Sequence, residues 1–439
     1  MNGIEAALEQ RGVEKTGVDL HQFASELYPI CRSITGNGTR ETLKRIQRLI
    51  QLQIHEVKSG ADVFDWTIPL EWNVREAYLN RADGTRILDY RDCNLQILNY
   101  SVPMRARVQL DELKKHLTTL PNHPNWIPYR TSYYAPEWGF CMKHKQMQDL
   151  EDDEYEVVID TTLEPGFLTY GELYLRGQST EEILISVHVC HPSLANDNLS
   201  GIVVACFLAG LLRGRRLRYS YRFVFVPGTI GAITWLAKNK ENAQQIRHGL
   251  VLTCVGDANG FHYKKSRRGD AEIDRAAALA LRSCGEPYEV LDFSPYGYDE
   301  RQYCSPGFNL PVGCLMRSVW GTFPEYHTSA DNLGFIHPEK LAGTLRLCAA
   351  ICDVLEGNRT YLNKKPFGEP QLGKRGLYSG AGNEASAEAI SARLWVLNYS
   401  DGRHSLLDIA ERSALPFPAI HDAAELLRER DLLAAVDTN

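Results

Sequence analysis

Residues 184–212, LISVHVCHPSLANDNLSGIVVACFLAGLL, decide the fold. An unbroken apolar run ends at His188–Cys190, a polar loop follows with His191, Asn196, Asp197 and Asn198, and an apolar helix begins near Ser200–Gly201. A strand that is apolar at every position, not at alternate ones, belongs to a parallel sheet covered on both faces. The small residues Ser200 and Gly201 let the helix start close against that sheet.

The same texture recurs on both sides. GELYLRG (171–177), YRFVFVP (221–227), GLVLTCVG (249–256) and LPVGCLM (310–316) read as further strands. SGIVVACFLAGLLRG, ITWLAKNKENAQQIR, IDRAAALALRSCG and PEKLAGTLRLCAAICDVLEG read as the helices between and after them. Strands alternating with helices predict an α/β domain, a three-layer, mostly parallel sheet. Residues 18–52 add amphipathic helices, with Leu20, Phe23, Leu27 and Ile30 on one face. Between 61 and 169 the chain becomes rich in aromatics and prolines, as in DWTIPLEW and WIPYRTSYYAPEWGF, with short alternating runs at Arg107–Leu110 and Tyr155–Ile159. This predicts a β-rich inserted domain whose aromatics either pack a core or wall a cleft. Polar, Gly-rich residues 360–384 read as a linker, and three short helices follow, with a turn at LPFP. The expected division is therefore 1–60 with 170–365, an insert at 61–169, and a small C-terminal domain at 385–439.

Composition narrows the class. The chain has 439 residues, 44% hydrophobic, with a net charge of −7, which suits a globular protein of two or three domains and disfavours a broad nucleic-acid surface. No run reaches the roughly 18 apolar residues of a membrane span, and the polar N-terminus lacks a signal-peptide pattern, so a cytoplasmic protein is expected. The 11 cysteines are scattered without CxxC spacing and read as buried thiols, Cys348 and Cys352 included.

Ligands of open α/β sheets bind beyond the carboxyl ends of the strands, which singles out four segments. The first is the His188–Asn198 loop. The second is PEYHTSADN (324–332), with His327 and, four residues on, Asp331 as a partner that could orient it. The third is LTCVGD, ending in Asp257, and the fourth is YGYDERQY, with Asp299, Glu300 and Arg301. Imidazoles and carboxylates converging on one sheet edge are ligands for a divalent metal, zinc among them. Each has a plainer reading as well: Asp197 as a helix cap, His191 as a turn residue, His327 as an exposed loop residue, Glu300 as a surface pair with Arg301.

A His, a short loop, Asp-Asn-x-Ser-Gly and a later Tyr-His-Thr-x-x-Asp resemble the M28 zinc aminopeptidases. CRSITGNGTRETL, DWTIPLEW, CHPSLANDNLSG, PGTIGAITWL, VGDANGFHYKKSR, DERQYCSPGFNLPV and EYHTSADNL resemble, more fully, the bacterial aminopeptidase-like DUF4910 family with its DUF2172 insert and C-terminal winged helix. That resemblance implies His191, Asp197, Asp257 and His327 as metal ligands, with His188 as an alternative to His191. It also implies two adjacent glutamates after the next strand, one a general base. FVFVPGTIGAITWL carries Gly228 and Thr229 there instead, so one firmly held metal is expected.

The resulting expectation is a metal-dependent hydrolase of a peptide or amide bond, aminopeptidase-like, using Zn2+ or another divalent metal. Glu300 and Asp299 are the candidate proton carriers, and Arg267, Arg301 and Tyr326 the candidate substrate contacts. Two other readings stand beside it: a non-catalytic binding or scaffold protein, and a single-zinc cyclase or acyl-transfer enzyme acting on a small molecule. The basic run HYKKSRRG (262–269) reads either as a solvated loop or as a site for an anionic group at the cleft edge. In the tail, carboxylates outnumber arginines and PAIHDAAELLRER has no basic stripe, so protein contact, including homo-oligomerisation, is expected there in place of nucleic acid. The expected partner of the site is a small peptide or amino-acid amide; no membrane is expected.

Overall fold

The computed structural model describes residues 3–377 and 386–436. They form two compact units. The larger comprises 11–269 and 287–345, and the smaller 1–10, 270–286 and 346–439.

The larger unit is built on an eight-stranded sheet: β1 (Gln53–Lys58), β2 (Phe167–Leu175), β3 (Glu182–His188), β4 (Ser220–Val226), β5 (Ile246–Leu252), β6 (Phe261–Lys264), β7 (Tyr288–Leu291) and β8 (Val312–Met316). Their order is β1-β2-β4-β3-β5-β8-β6-β7. The centre, β4, β3, β5 and β8, is parallel; β1 pairs antiparallel with β2, β2 with β4, and β6 with β8, while β6 and β7 are parallel. The sheet is thus mixed, with its parallel part where the apolar runs lie. Every residue of β3, β4 and β8 is buried, as strands covered on both faces must be. The helix Gly201–Leu212 packs on β3, β4 and β5. It comes close because Gly201 lacks a side chain: a Cβ there would stand 2.6 Å from the Leu252 carbonyl oxygen.

The insert holds a four-stranded antiparallel sheet, Arg86–Asp89, Glu71–Arg81, Glu154–Glu164 and Met104–Gln109 in that order. Its aromatics divide between the two anticipated roles. Trp72 is buried, stacks on Tyr100 and donates its indole N–H to the Ser101 carbonyl at 2.9 Å. Tyr129, in contrast, reaches the histidines at the edge of the main sheet, and Tyr133 lies behind it, its hydroxyl 3.0 Å from that of Tyr129.

The smaller unit contains the helix Glu272–Ser283 and, towards the C-terminus, the helices Ala387–Tyr399, Leu406–Ser413 and Phe417–Glu429. These three helices accompany a sheet in which Thr360–Asn363 lies between Asp401–Ser405 and Leu433–Ala435. This corrects the expected boundary. The winged-helix sheet starts at Thr360, inside the stretch read as linker, because a four-residue strand flanked by polar residues carries almost no periodic signal. Residues 378–384 of that stretch lie outside the described residues.

Candidate metal centre

His188 is the last residue of β3, and the chain beyond it folds back so that Asp197 faces it. His188 Nε2 lies 2.7 Å from Asp197 Oδ1, His327 Nε2 lies 3.0 Å from Oδ2, and His191 Nε2 lies 3.8 Å from Oδ2. One carboxylate is therefore shared by three imidazoles. Asp197, His188 and His191 are buried, and His327 keeps 29% of its side chain exposed.

The loop that carries these groups is held from several sides. The buried Arg32 guanidinium donates to the carbonyls of His191 at 2.6 Å, Pro192 at 2.8 Å and Leu27 at 2.6 Å. Asp331 accepts the backbone N–H groups of Asn196 at 2.6 Å and Asp197 at 3.0 Å. Asp331 was expected to orient His327; its oxygens go to the ligand loop instead. Asn198 donates to the Leu252 carbonyl at 2.9 Å and lies 3.2 Å from His188 Nδ1.

Aromatic rings wall the group. Tyr129 of the insert meets His191 and His327 edge-on. Tyr298 stacks on His188 with centroids 3.8 Å apart, and Tyr326 stacks on His327 at 4.0 Å. The loop Ile127–Tyr129 pairs with the His327 loop: Tyr129 donates its N–H to the His327 carbonyl at 2.7 Å, Ser329 donates to the Ile127 carbonyl at 2.8 Å, and Pro128 bridges Thr328. His327 itself sits at φ 56, a left-handed conformation uncommon for a residue with a side chain. Such positions persist where their surroundings over-determine them, and the pairing with the insert does so here.

Burial lowers the pKa of His188 and pulls that of His191 well below the ordinary value, which favours the neutral form of both rings. Burial alone would raise the Asp197 carboxyl, but His191, together with the hydrogen-bonding His188 and His327, holds it well below the usual carboxylate range. Neutral imidazoles around an ionised carboxylate are the protonation states a divalent ion needs from its ligands. His188, His191 and Asp197 place donor atoms within 4.8 Å of one another, and His327 Nε2 stands 3.0 Å from the same carboxylate, so the residues gathered here can supply the imidazole and carboxylate donors that such an ion takes.

The other expected site residues lie differently. Asp257 is not brought to the histidines: its oxygens accept from Asn196 Nδ2 at 2.8 Å, Ser318 Oγ at 2.8 Å and the Asn259 backbone N–H at 3.0 Å. It is a brace of the loop that carries Asp197. Glu300 is fully buried and paired with Lys264 at 2.7 Å, not with Arg301 at the surface. Asp299 is also fully buried, neither oxygen has a hydrogen-bond partner, and burial, with Glu300 beside it, pushes its carboxyl well above the usual range. Arg301 is half-buried on the short helix Glu300–Tyr303. Arg267 is exposed and donates to Asn309, which precedes β8. Because β6 runs antiparallel to β8, the chain leaves β6 toward the sheet edge opposite the histidines, which carries Arg267 away from their cleft while Lys264 stays beside Glu300. Arg32, Tyr129, Tyr298 and Lys264 also belong to the site; they lie in CRS, WIPYRTSYY, YGYDER and HYKK, where no local pattern marks them.

Residues 21–358 match the family described as a domain of unknown function, DUF4910, and residues 359–435 match a winged helix-turn-helix family. A Clostridium acetobutylicum protein, whose name assigns it to polysaccharide biosynthesis and gives it an aminopeptidase-like domain, is 50% identical over 96% of this chain and 97% of its own length. A crystal structure from that organism, named as a peptidase, superposes with a TM-score of 0.93 at 48% identity, covering 98% of this chain and 100% of the other. A zinc aminopeptidase from Bacillus subtilis shares the fold at a TM-score of 0.56 and 15% identity, over 76% of this chain and 94% of its own. An M28 peptidase precursor from Shewanella amazonensis does so at 0.55 and 12%, over 80% and 96%.

Proposed function

This chain belongs to the DUF4910 family, and on that premise we propose that it is a metal-dependent hydrolase of peptide or amide bonds. The carrying observation is the convergence of three imidazoles on the one ionised carboxylate of Asp197. His191, Asp197 and His327 would hold one divalent ion, zinc in the first instance. Asp197 Oδ2 is the oxygen that both imidazoles face. His188 faces Oδ1, and an Asn198 amide donating to its Nδ1 leaves its proton on Nε2, toward Asp197. In that tautomer His188 braces the carboxylate and does not ligate.

The ion would supply Lewis acidity at a carbonyl oxygen. The protein's own contribution is placement and dryness. Arg32, Asp257 and Asp331 fix the loop, and Tyr129, Tyr298 and Tyr326 exclude water from the buried face. Such a walled group suits a small substrate, a short peptide or an amino-acid amide. A second reading, a metal-holding binding protein without turnover, is supported by one observation. The two carboxylates best placed in sequence to move protons are engaged or buried: Glu300 by Lys264, Asp299 without a partner.

Elemental analysis of protein purified without added metal tests the proposal. About one equivalent in the wild type and in His188→Gln, lost in His191→Ala/His327→Ala, is the expected result. No metal in the wild type after incubation with zinc would overturn it. Release of arylamine from amino-acid anilides by the loaded protein separates the hydrolase from the binding protein.

A further inference from the structure

Gly228, just past the end of β4, has no side chain, and the reason lies across the cleft. A Cβ there would stand 2.5 Å from Tyr298 Cε1 and 3.1 Å from His188 Cβ. The ring of Tyr298 thus fills the space that any other residue at 228 would need. From that place it stacks on His188 and brings its hydroxyl to 3.4 Å from His191 Nε2.

The segment that delivers this ring is anchored with unusual outlay. Lys264 and Glu300 form a buried ion pair at 2.7 Å. Glu300 accepts the Tyr298 backbone N–H at 3.0 Å, and Lys264 donates to the Tyr296 carbonyl at 2.8 Å. Between them Gly297 passes so close that a Cβ would collide with the Glu300 carboxylate. Buried ion pairs seldom add net stability over apolar residues of the same size, so one that grips two backbone groups of a single loop is best explained by the placement it gives. Sequence alone offered Glu300 as a proton carrier; its partners make it part of this anchor.

We propose that Tyr298 is a catalytic residue of this site, its hydroxyl donating a hydrogen bond to the carbonyl or carboxylate oxygen of a substrate bound over His191, and that Lys264 and Glu300 are positioning residues for it. The proposal rests on the metal reading above. The substrate class it selects is one that presents an acceptor oxygen, such as an acyl group, to the Tyr298 hydroxyl beside His191.

The test uses the full chain loaded with cobalt(II), with acetohydroxamic acid as the probe and visible absorption as the readout. Tyr298→Phe keeps the ring and removes the donor, so binding of the probe should weaken about tenfold, as loss of a hydrogen bond to a charged oxygen does. Glu300→Gln should weaken it in the same direction, and Tyr288→Phe, on the exposed edge strand β7, should leave it unchanged. Probe binding by Tyr298→Phe within about twofold of the wild type would overturn the proposal. A metal-free arm guards the geometry: in chelator, Gly228→Ala should lower the melting temperature in the wild type and cost much less in a Tyr298→Gly background. Equal cost in both backgrounds would remove the placement on which the proposal stands. Absence of any cobalt spectrum in the wild type would sink the metal reading, and the melting cycle would still decide whether Tyr298 occupies this place.

Discussion

Asp331 accepts the backbone N–H of Asp197 at 3.0 Å, so the carboxylate at the centre of the site is positioned by a second carboxylate that does not join it. Burial pushes the Asp331 carboxyl up to about 8, even though two backbone donors favour its charged form.

Replacing Asp331 with Ala would leave the N–H groups of Asn196 and Asp197 buried and unpaired. The expected cost is on the order of 3 kcal/mol in urea unfolding. Metal affinity, measured by competition with a chromogenic chelator, should fall about 10- to 100-fold, as it does when groups that orient ligands are removed. A variant with unchanged affinity would show that the loop holds its shape without Asp331.

Arg32 should be intolerant of Lys. Its guanidinium serves three carbonyls from one planar fork, and an ammonium on a flexible stem cannot span them. Arg32→Lys is expected to lose about 2–4 kcal/mol of stability through unpaired buried carbonyls. Metal affinity should fall with it, because the His191 backbone is released. Denaturant melts of the metal-free and metal-loaded variant measure the two effects separately.

His248 on β5 makes the fold acid-sensitive. Burial, with Arg218 beside it, lowers its pKa from 6.5 to about 4. Between those values the unfolded chain binds the proton and the folded chain does not, so stability rises with pH. The contribution is complete above 6.5 and is lost progressively as pH falls toward 4. Between about pH 7.5 and about pH 5 the wild type should lose on the order of 2 kcal/mol from this residue. His248→Gln should flatten the pH dependence by that amount in urea titrations; an unchanged slope would assign the acid sensitivity elsewhere.

The winged helix should not bind duplex DNA. Its third helix, FPAIHDAAELLRE, carries Arg428, which is paired with Glu425 at 2.7 Å, and Asp422 is exposed nearby. Phosphate recognition needs free basic groups and shows itself as a steep salt dependence. No mobility shift is expected at about 0.15 M salt. Tight binding that weakens sharply with added salt would contradict this.

The unbroken apolar run before His188 and the small residues at 200–201 announce a strand, loop and helix in local sequence, and the fold follows from repeating that unit. The position of the histidines in the fold was legible for the same reason: His188 ends β3, His191 follows it, and His327 lies in the loop after β8. Asp257 was misjudged because position past a strand end does not fix which way a side chain turns, and Asn196 and Ser318 claim it. Glu300 was misjudged because its partner, Lys264, stands 36 residues away on a strand that runs the other way. That antiparallel strand also moved Arg267 from the expected cleft to the opposite edge. Tyr298 was beyond reach because its role is defined by what Gly228 lacks.

The pairing of the Tyr129 loop with the His327 loop sets when this donor group can exist during synthesis. Ile127 and Ser329 meet across 202 residues of chain, and His327 depends on that meeting for its backbone conformation. A nascent chain that has emerged only as far as Asp197 has the carboxylate and two imidazoles but no third. Ion capture by the complete set is therefore a late, non-local event, and a chain that stalls before residue 329 would carry His188, His191 and Asp197 without the imidazole of His327 fixed beside them.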